Sequence, residues 1–246
     1  MITAFLSAKG GAGLTTALAN IAAATASELQ RKVLICDLNV GRGALEYPFG
    51  VEDQAVWNIV DIFEAGCKIG DALLKIPEYG ELYLLSASRS RSLSQVTKPA
   101  LQRLLKLLSG AFDDVFIDVP AANLAAVDLA LNSADKAVLV SGSDKLSEVL
   151  GKIFLDEIPE EFRNMPLILT RVRLDLVKEG LSPSPEETAA GLGLSVLGII
   201  PENDDIFLQN ETHEDLVHLK SPALRSFANI ARRLQGENVP VDLRKA

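Results

Sequence analysis

The 246 residues carry 48% hydrophobic and 23% charged side chains and a formal net charge of −9, the balance of a globular chain with ample apolar material for a core. That acidic balance argues against a general affinity for nucleic acid or anionic lipid, and no apolar run approaches the ~20 residues that a helical span of a bilayer needs. Cys36 and Cys67 have no CxxC partner and no histidine neighbour, so they read as free or structural thiols of a reducing compartment rather than as a disulfide or a metal site.

Residues 1–7 run straight into a strand pattern with no basic leader, so no signal peptide is expected and the chain is expected to be cytoplasmic. The strand predicted at 2–7 leads into Ser7-Ala8-Lys9-Gly10-Gly11-Ala12-Gly13-Leu14-Thr15-Thr16, and a helical stripe of Leu14, Leu18, Ile21 and Thr25 follows. Three glycines in four residues let the backbone turn its N–H groups onto an anion, and the helix start behind them adds a favourable dipole. Thr15 stands where a phosphate loop places the hydroxyl that ligates Mg²⁺. A second strand is predicted at 33–37; it ends on Asp37 and is followed by Leu38-Asn39-Val40-Gly41.

Further strands are predicted at 82–86 and 114–118. Between them lies a helix with Leu101, Leu104, Leu105 and Leu108 on one face and Lys98, Gln102 and Lys106 on the other. The apolar run Val115-Phe116-Ile117 buries its strand and delivers Asp118 to the carboxyl end, where parallel sheets hold their ligands; Val119-Pro120-Ala121 comes next. Strands at 137–141, 167–170 and 196–200 complete the set. Ser184-Pro185-Glu186-Glu187 reads as a capping box, and Ser221-Pro222 as the start of a last helix striped by Leu224, Phe227, Ala231 and Leu234. The segment 174–185, with Gly180 and two prolines, is expected to be a mobile surface loop. His213 and His218 have no nucleophile nearby in sequence and are expected to be solvated surface groups. Strands alternating with helices predict an α/β fold: a mostly parallel sheet flanked by helices on both faces, as one domain over residues 1–246.

The loop resembles the K-G-G-x-G-K-T-T of the MinD/ParA family of deviant Walker A ATPases, with Lys9 at the family's first lysine. Asp37-Leu38-Asn39-Val40-Gly41 resembles the family's D-x-D-x-G, and Val115 to Ala121 its Walker B strand and following switch. Leu169-Thr170-Arg171-Val172-Arg173, Gly198-Ile199-Ile200-Pro201-Glu202-Asn203-Asp204, Asp135-Lys136-Ala137 and Asn229-Ile230-Ala231-Arg232-Arg233-Leu234 are similar to the MinD branch specifically, so the resemblance spans nearly the whole chain.

The resemblance implies ATP and Mg²⁺ as cofactors. Gly10, Gly11, Ala12, Gly13, Leu14, Thr15, Thr16 and Pro120 would lie at the phosphates, and Thr170, Arg171, Pro201 and Glu202 at the base. Thr15, Asp37 and Asp118 would lie at the metal. Lys9 would reach a partner's nucleotide, and Asn39 would stand at the attacking water. It also implies a nucleotide-dependent homodimer and protein partners of a positioning system such as division-site placement, with no nucleic acid.

Four departures fall at that site: Leu14 replaces the phosphate-loop lysine and Asn39 the second aspartate, Gly43-Ala44-Leu45-Glu46 replaces R-N-L-D, and Ala122 replaces a glycine. One lost charge-assisted hydrogen bond is worth about 1.5–3 kcal/mol, and the transition state gathers more charge than the ground state. Weak ATP/Mg²⁺ binding with impaired hydrolysis is therefore expected. The alternative is a nucleotide-independent localisation scaffold of the TadZ/CpaE pilus-positioning kind. The end of the chain, 239–246, is too short and too weakly apolar for the membrane-inserting amphipathic helix of the MinD branch, so no direct membrane anchor is expected.

Overall fold

All seven apolar runs read as strands are strands in the computed structural model, which describes residues 1–41, 43–64, 66–91, 96–121, 123–213, 221 and 223–241. In chain order the elements are β1 (Ile2–Leu6), α1 (Leu14–Ser27), β2 (Val33–Asp37), α2 (Ile59–Phe63), β3 (Leu73–Ile76), β4 (Leu82–Leu85), α3 (Lys98–Ser109), β5 (Asp114–Asp118) and α4 (Leu124–Leu131). They continue with β6 (Lys136–Gly142), α5 (Lys145–Glu157), β7 (Leu167–Val172), α6 (Leu174–Lys178), α7 (Pro185–Leu192), β8 (Val196–Pro201), α8 (Asp204–Thr212) and α9 (Ala223–Leu234).

The strands form one sheet in the order β3-β4-β2-β5-β1-β6-β7-β8. Every neighbouring pair is parallel except β3 with β4. Side chains of successive strand residues enter opposite faces. Ala4, Leu6, Leu34 and Cys36 therefore join one buried cluster, with Leu104 and Leu105 of α3, Val127 of α4 and Phe154 of α5. Phe5, Val33 and Ile35 join the other, with Leu18 and Ile21 of α1 and Phe227 and Ile230 of α9. Helices thus cover both faces, and the central strands are buried from end to end, which is why they read as continuous apolar runs rather than alternating ones.

Helix α1 is buried nearly all round between the sheet and α9, and its many alanines let both approach closely. Two hydroxyls toward its end are satisfied within the helix: Thr25 donates to Ile21 O at 2.7 Å and Ser27 to Ala23 O at 2.7 Å. The capping box of α7 forms as read, with Ser184 Oγ accepting from Glu187 N at 3.1 Å and Glu187 Oε2 accepting from Ser184 N at 2.8 Å. Ser221 Oγ accepts from Ala223 N at 3.2 Å at the start of α9; Pro222 lies outside the described residues.

Two features depart from the sequence reading. Strand β3 was not foreseen, because it is a short, half-exposed antiparallel edge whose four residues hold too few positions to show a period. The segment 174–185 is not wholly a loop: it opens with the single-turn α6, too short to display a helical stripe. His213 is exposed, as expected, and in addition its Nδ1 lies 2.9 Å from Tyr47 O and its ring packs 5.6 Å from that of Tyr47. His218 lies outside the described residues.

Gly198 of β8 shows how closely α9 seats on the sheet: a Cβ there would lie 2.2 Å from Cγ1 of the fully buried Ile230. Gly198→Ala is expected to destabilise the fold by about 1–3 kcal/mol, the usual cost of overpacking. Urea denaturation measures it, and an unchanged midpoint would show that α9 yields freely.

Candidate phosphate-binding site at the strand ends

The carboxyl ends of β1, β2, β5 and β7 meet beneath the loop from Ser7 to Gly13. Gly11 and Gly13 both take φ of 77°, in the left-handed region that glycine adopts without a Cβ penalty. The loop is held from the side of β7: Thr170 Oγ1 donates to Ala12 O at 2.5 Å and Arg171 Nη1 to Gly11 O at 3.1 Å. Gly13 O then accepts from Ala17 N at 2.9 Å and opens α1. With these carbonyls fixed outward, the glycine turn and the first-turn N–H groups of α1, which have no intrahelical acceptor, form a cradle for an anion.

Parallel pairing of β2 with β5 sets Asp37 directly beside Asp118. Both are buried, and Thr15 of α1 donates its hydroxyl proton to Asp118 Oδ2 at 2.8 Å. Asp37 Oδ1 accepts from the backbone N–H of Asn39 at 2.7 Å, while its Oδ2 is buried with no hydrogen-bond partner. Burial raises both carboxyls above their ordinary range. At Asp118 the charge of Asp37 adds to that rise and the Thr15 hydroxyl opposes it. At Asp37 the Asn39 amide opposes it, Glu46 adds to it, and the amides of Leu45 and Ala44 oppose it further. An unpaired carboxylate oxygen beside a second buried carboxylate and a hydroxyl is a donor set of the hard-oxygen kind that suits Mg²⁺. Among the described residues no cluster of three or more His, Cys, Asp or Glu forms a protein-only metal cage.

The same cleft, about 1570 Å³, brings together nearly all the residues read from sequence. Lys9 and Asn39 line it, as do Gly10 to Thr16 and Pro120. Thr170 and Arg171, beside the loop, line it with Pro201 and Glu202, and Ile206 and Phe207 of α8 add apolar surface. Ala122 lies outside the described residues.

Sequence reasoning missed several partners. Lys9 Nζ lies 3.7 Å from Asp144 Oδ2, the residue that caps α5 by accepting from Ser147 N at 2.9 Å. Glu46 is buried under Arg89, 3.8 Å away. Leu14, the residue at the family's lysine position, is 8% exposed and packs with the α1 face of the core.

Residues 3–217 match the family model of the CobQ/CobB/MinD/ParA nucleotide binding domain. The chain belongs to that family. Within it, the chain stands in the MinD branch. It is 31% identical over 242 residues to the septum site-determining protein MinD of Bacillus subtilis, with 96% of this chain and 90% of that protein covered. It is 32% identical over 242 residues to the Synechocystis protein of the same name, with 95% and 89% covered. In structure it is similar to the MinC:MinD cell division protein complex of Aquifex aeolicus, at a TM-score of 0.87 and 30% identity over 98% of each chain. The MinD/ParA architecture therefore stands intact around a loop that carries Leu14.

The buried carboxylates also set a pH dependence. Their folded-state values lie above those of the unfolded chain, so between the two the folded state holds more protons and stability falls as pH rises through that window. Without Mg²⁺, the unfolding free energy is expected to decline from the ordinary carboxylate range toward alkaline pH. Asp118→Asn is expected to flatten that slope and to stabilise the protein at mildly alkaline pH by about 1 kcal/mol or more. Urea titrations across pH measure both, and an unaltered slope in the variant would place its source elsewhere.

Proposed function

We propose that this chain is a MinD-type nucleotide switch that binds ATP with Mg²⁺ weakly, hydrolyses it poorly, and acts in spatial regulation such as division-site placement. The observation that carries this reading is the buried pair Asp37 and Asp118, one oxygen of it unpartnered, with the Thr15 hydroxyl 2.8 Å from Asp118 at the floor of the loop. Two carboxylates buried side by side are costly when both are charged, and a bound cation would offset that cost.

In this reading Gly10, Gly11, Ala12, Gly13, Thr15 and Thr16 cradle the phosphates with backbone N–H groups, with Pro120 beside them. Thr15, Asp37 and Asp118 would hold Mg²⁺, which would supply positive charge against that of the phosphates. Thr170 and Arg171 fix the loop from behind and, with Pro201 and Glu202, frame the base. Leu14 contributes packing and no charge. Asn39 hydrogen-bonds a water as well as an aspartate would, but it cannot take the water's proton, so hydrolysis is slow.

Relatives in this branch carry septum-site names, and one solved relative is a complex of MinC with MinD. By analogy the chain works as a nucleotide-dependent dimer with protein partners, Lys9 leaving Asp144 to meet the second copy's nucleotide. Among the described residues no helix is long and apolar enough to cross a membrane. We further propose that residues 1–246 act as one domain, since the single sheet runs through β1 to β8.

Two substitutions test the reading. Leu14→Lys is expected to raise ATP affinity in Mg²⁺ by about 1.5–3 kcal/mol, since the cradle already stands and a lysine stem can cover the apolar surface that Leu14 covers. Turnover is expected to recover only when Asn39→Asp is added, with a non-additive gain because both act on one transition state. Calorimetry and phosphate release check these expectations. Robust wild-type turnover would overturn impaired hydrolysis, and no ATP binding by either protein would favour the nucleotide-independent scaffold.

A further inference from the structure

The helices on the two faces of the sheet differ in what they leave uncovered. Strand order sets α3, α4 and α5 side by side on one face, with α4 in the middle, where its Asp128 pairs with Lys98 of α3 at 2.5 Å. This layer carries Leu107, Leu124, Leu146, Val149 and Ile153 as exposed large hydrophobic side chains. Among the described residues α1 and α9, on the other face, carry none. Leu146, Val149 and Ile153 are 51% to 55% exposed, and their spacing of three and four residues puts them on one side of α5, away from the buried Ser147, Gly151 and Phe154. A continuous apolar stripe of this kind marks a contact surface more than scattered single side chains do.

The charges of the layer are sorted as well. Helix α3 holds Lys98, Arg103 and Lys106 and no acid, in a chain of net charge −9. Its buried Leu101, Leu104, Leu105 and Leu108 turn Arg103, Lys106 and Leu107 outward. At the end of α5, Asp156 and Glu157 are exposed, with Glu160 and Glu161 just beyond. Among the described residues none of these outward charges is in an ion pair. Both helices start from the carboxyl end of one strand and return to the start of another in the parallel part of the sheet, so Lys106 and Asp156, each in a last turn, stand toward the same edge of the layer.

We propose that the α3-α4-α5 layer is the contact surface for a second copy of this chain, in a two-fold dimer that forms without nucleotide. A two-fold axis running beside α4 lays α3 of each copy over α5 of the other, so the same contact forms twice. Leu107 then meets the stripe of Val149 and Ile153, and Arg103 and Lys106 meet Asp156 and Glu157. Of the cations on α5, Lys152 is paired with Glu148 at 2.6 Å and Lys145 lies at the opposite end, so neither opposes the match. Laying α3 over α3 would set cations against cations, so charge selects the pairing. This contact leaves the cleft open. It is separate from the proposed dimer in which Lys9 meets the second copy's nucleotide, and it does not rest on the nucleotide reading.

The experiment is sedimentation equilibrium of the full chain over a concentration series, in EDTA without nucleotide and again with ATP and Mg²⁺. Circular dichroism confirms the fold of each variant, and every substituted position is exposed. Wild type is expected to dimerise in EDTA. Ile153→Asp is expected to weaken that dimer by about tenfold or more, because it buries a charge in the apolar stripe. Lys106→Glu and Asp156→Lys are each expected to weaken it by about tenfold or more, and the two together to recover most of the loss, since opposite charges face again. A wild-type monomer at every concentration in EDTA would overturn the proposal and leave the layer to another occupant. A dimer seen only with ATP and Mg²⁺ would belong to the cleft and would overturn it too. A dimer indifferent to the substitutions would place the contact elsewhere on the chain, and a double reversal that recovers nothing would rule out α3 against α5.

Discussion

Two buried carboxylates lie side by side where β2 and β5 end. The parallel register that buries Leu34, Cys36, Val115 and Ile117 in one face is the same register that brings Asp37 against Asp118, so core packing and charge placement are one constraint. Once the two acids are there, their surroundings follow. Helix α1 must start close enough for Thr15 to donate to Asp118, and the chain after β2 must turn tightly enough for Asn39 N to reach Asp37. Burial raises both acids above their ordinary range, and this pair with its neighbouring hydroxyl is what the proposed cation site rests on.

The loop above the acids keeps its shape because another part of the sheet holds it. Thr170 and Arg171 end β7, far away in sequence, and their donors take the carbonyls of Ala12 and Gly11. Arg171 adopts φ of 54°, an uncommon conformation for a non-glycine residue, and its hydrogen bond to the loop helps offset that strain. Helix α8 ties the remaining parts together. Asn20 Nδ2 reaches both Thr16 O at 3.0 Å and the buried Gln209 Oε1 at 2.9 Å, while His213 at the end of α8 meets Tyr47 O. The phosphate end, the segment after Asn39 and the apolar end of the cleft are thus mechanically joined.

Leu14 illustrates how fold and chemistry separate. It is buried against the α1 face of the core and packs as any leucine would, so the architecture does not register the loss of a lysine. Glu46 and Leu45 behave likewise: Leu45 fills the core and Glu46 turns to Arg89. The altered positions keep the fold of the MinD branch and change the charge balance of its cleft.

The phosphate loop was legible in the sequence because it is contiguous: three glycines, a threonine pair and a helix stripe are all local features. Asp37 and Asp118 were legible because each ends an apolar run, and parallel sheets keep ligands at that end. The fold class, seven strands and the α7 capping box were legible for the same reason, since each is a repeat or a spacing within a few residues. Strand β3 and helix α6 were not, being too short to show a period. What only the tertiary structure decided is who meets whom across long stretches of chain: Lys9 with Asp144, Glu46 with Arg89, Thr170 with Ala12, His213 with Tyr47. These pairings depend on strand order and on how far each helix is set over the sheet, which no local pattern encodes. They also set where the charges of the cleft sit, with Lys9 beside Asp144 and Arg89 beside Glu46.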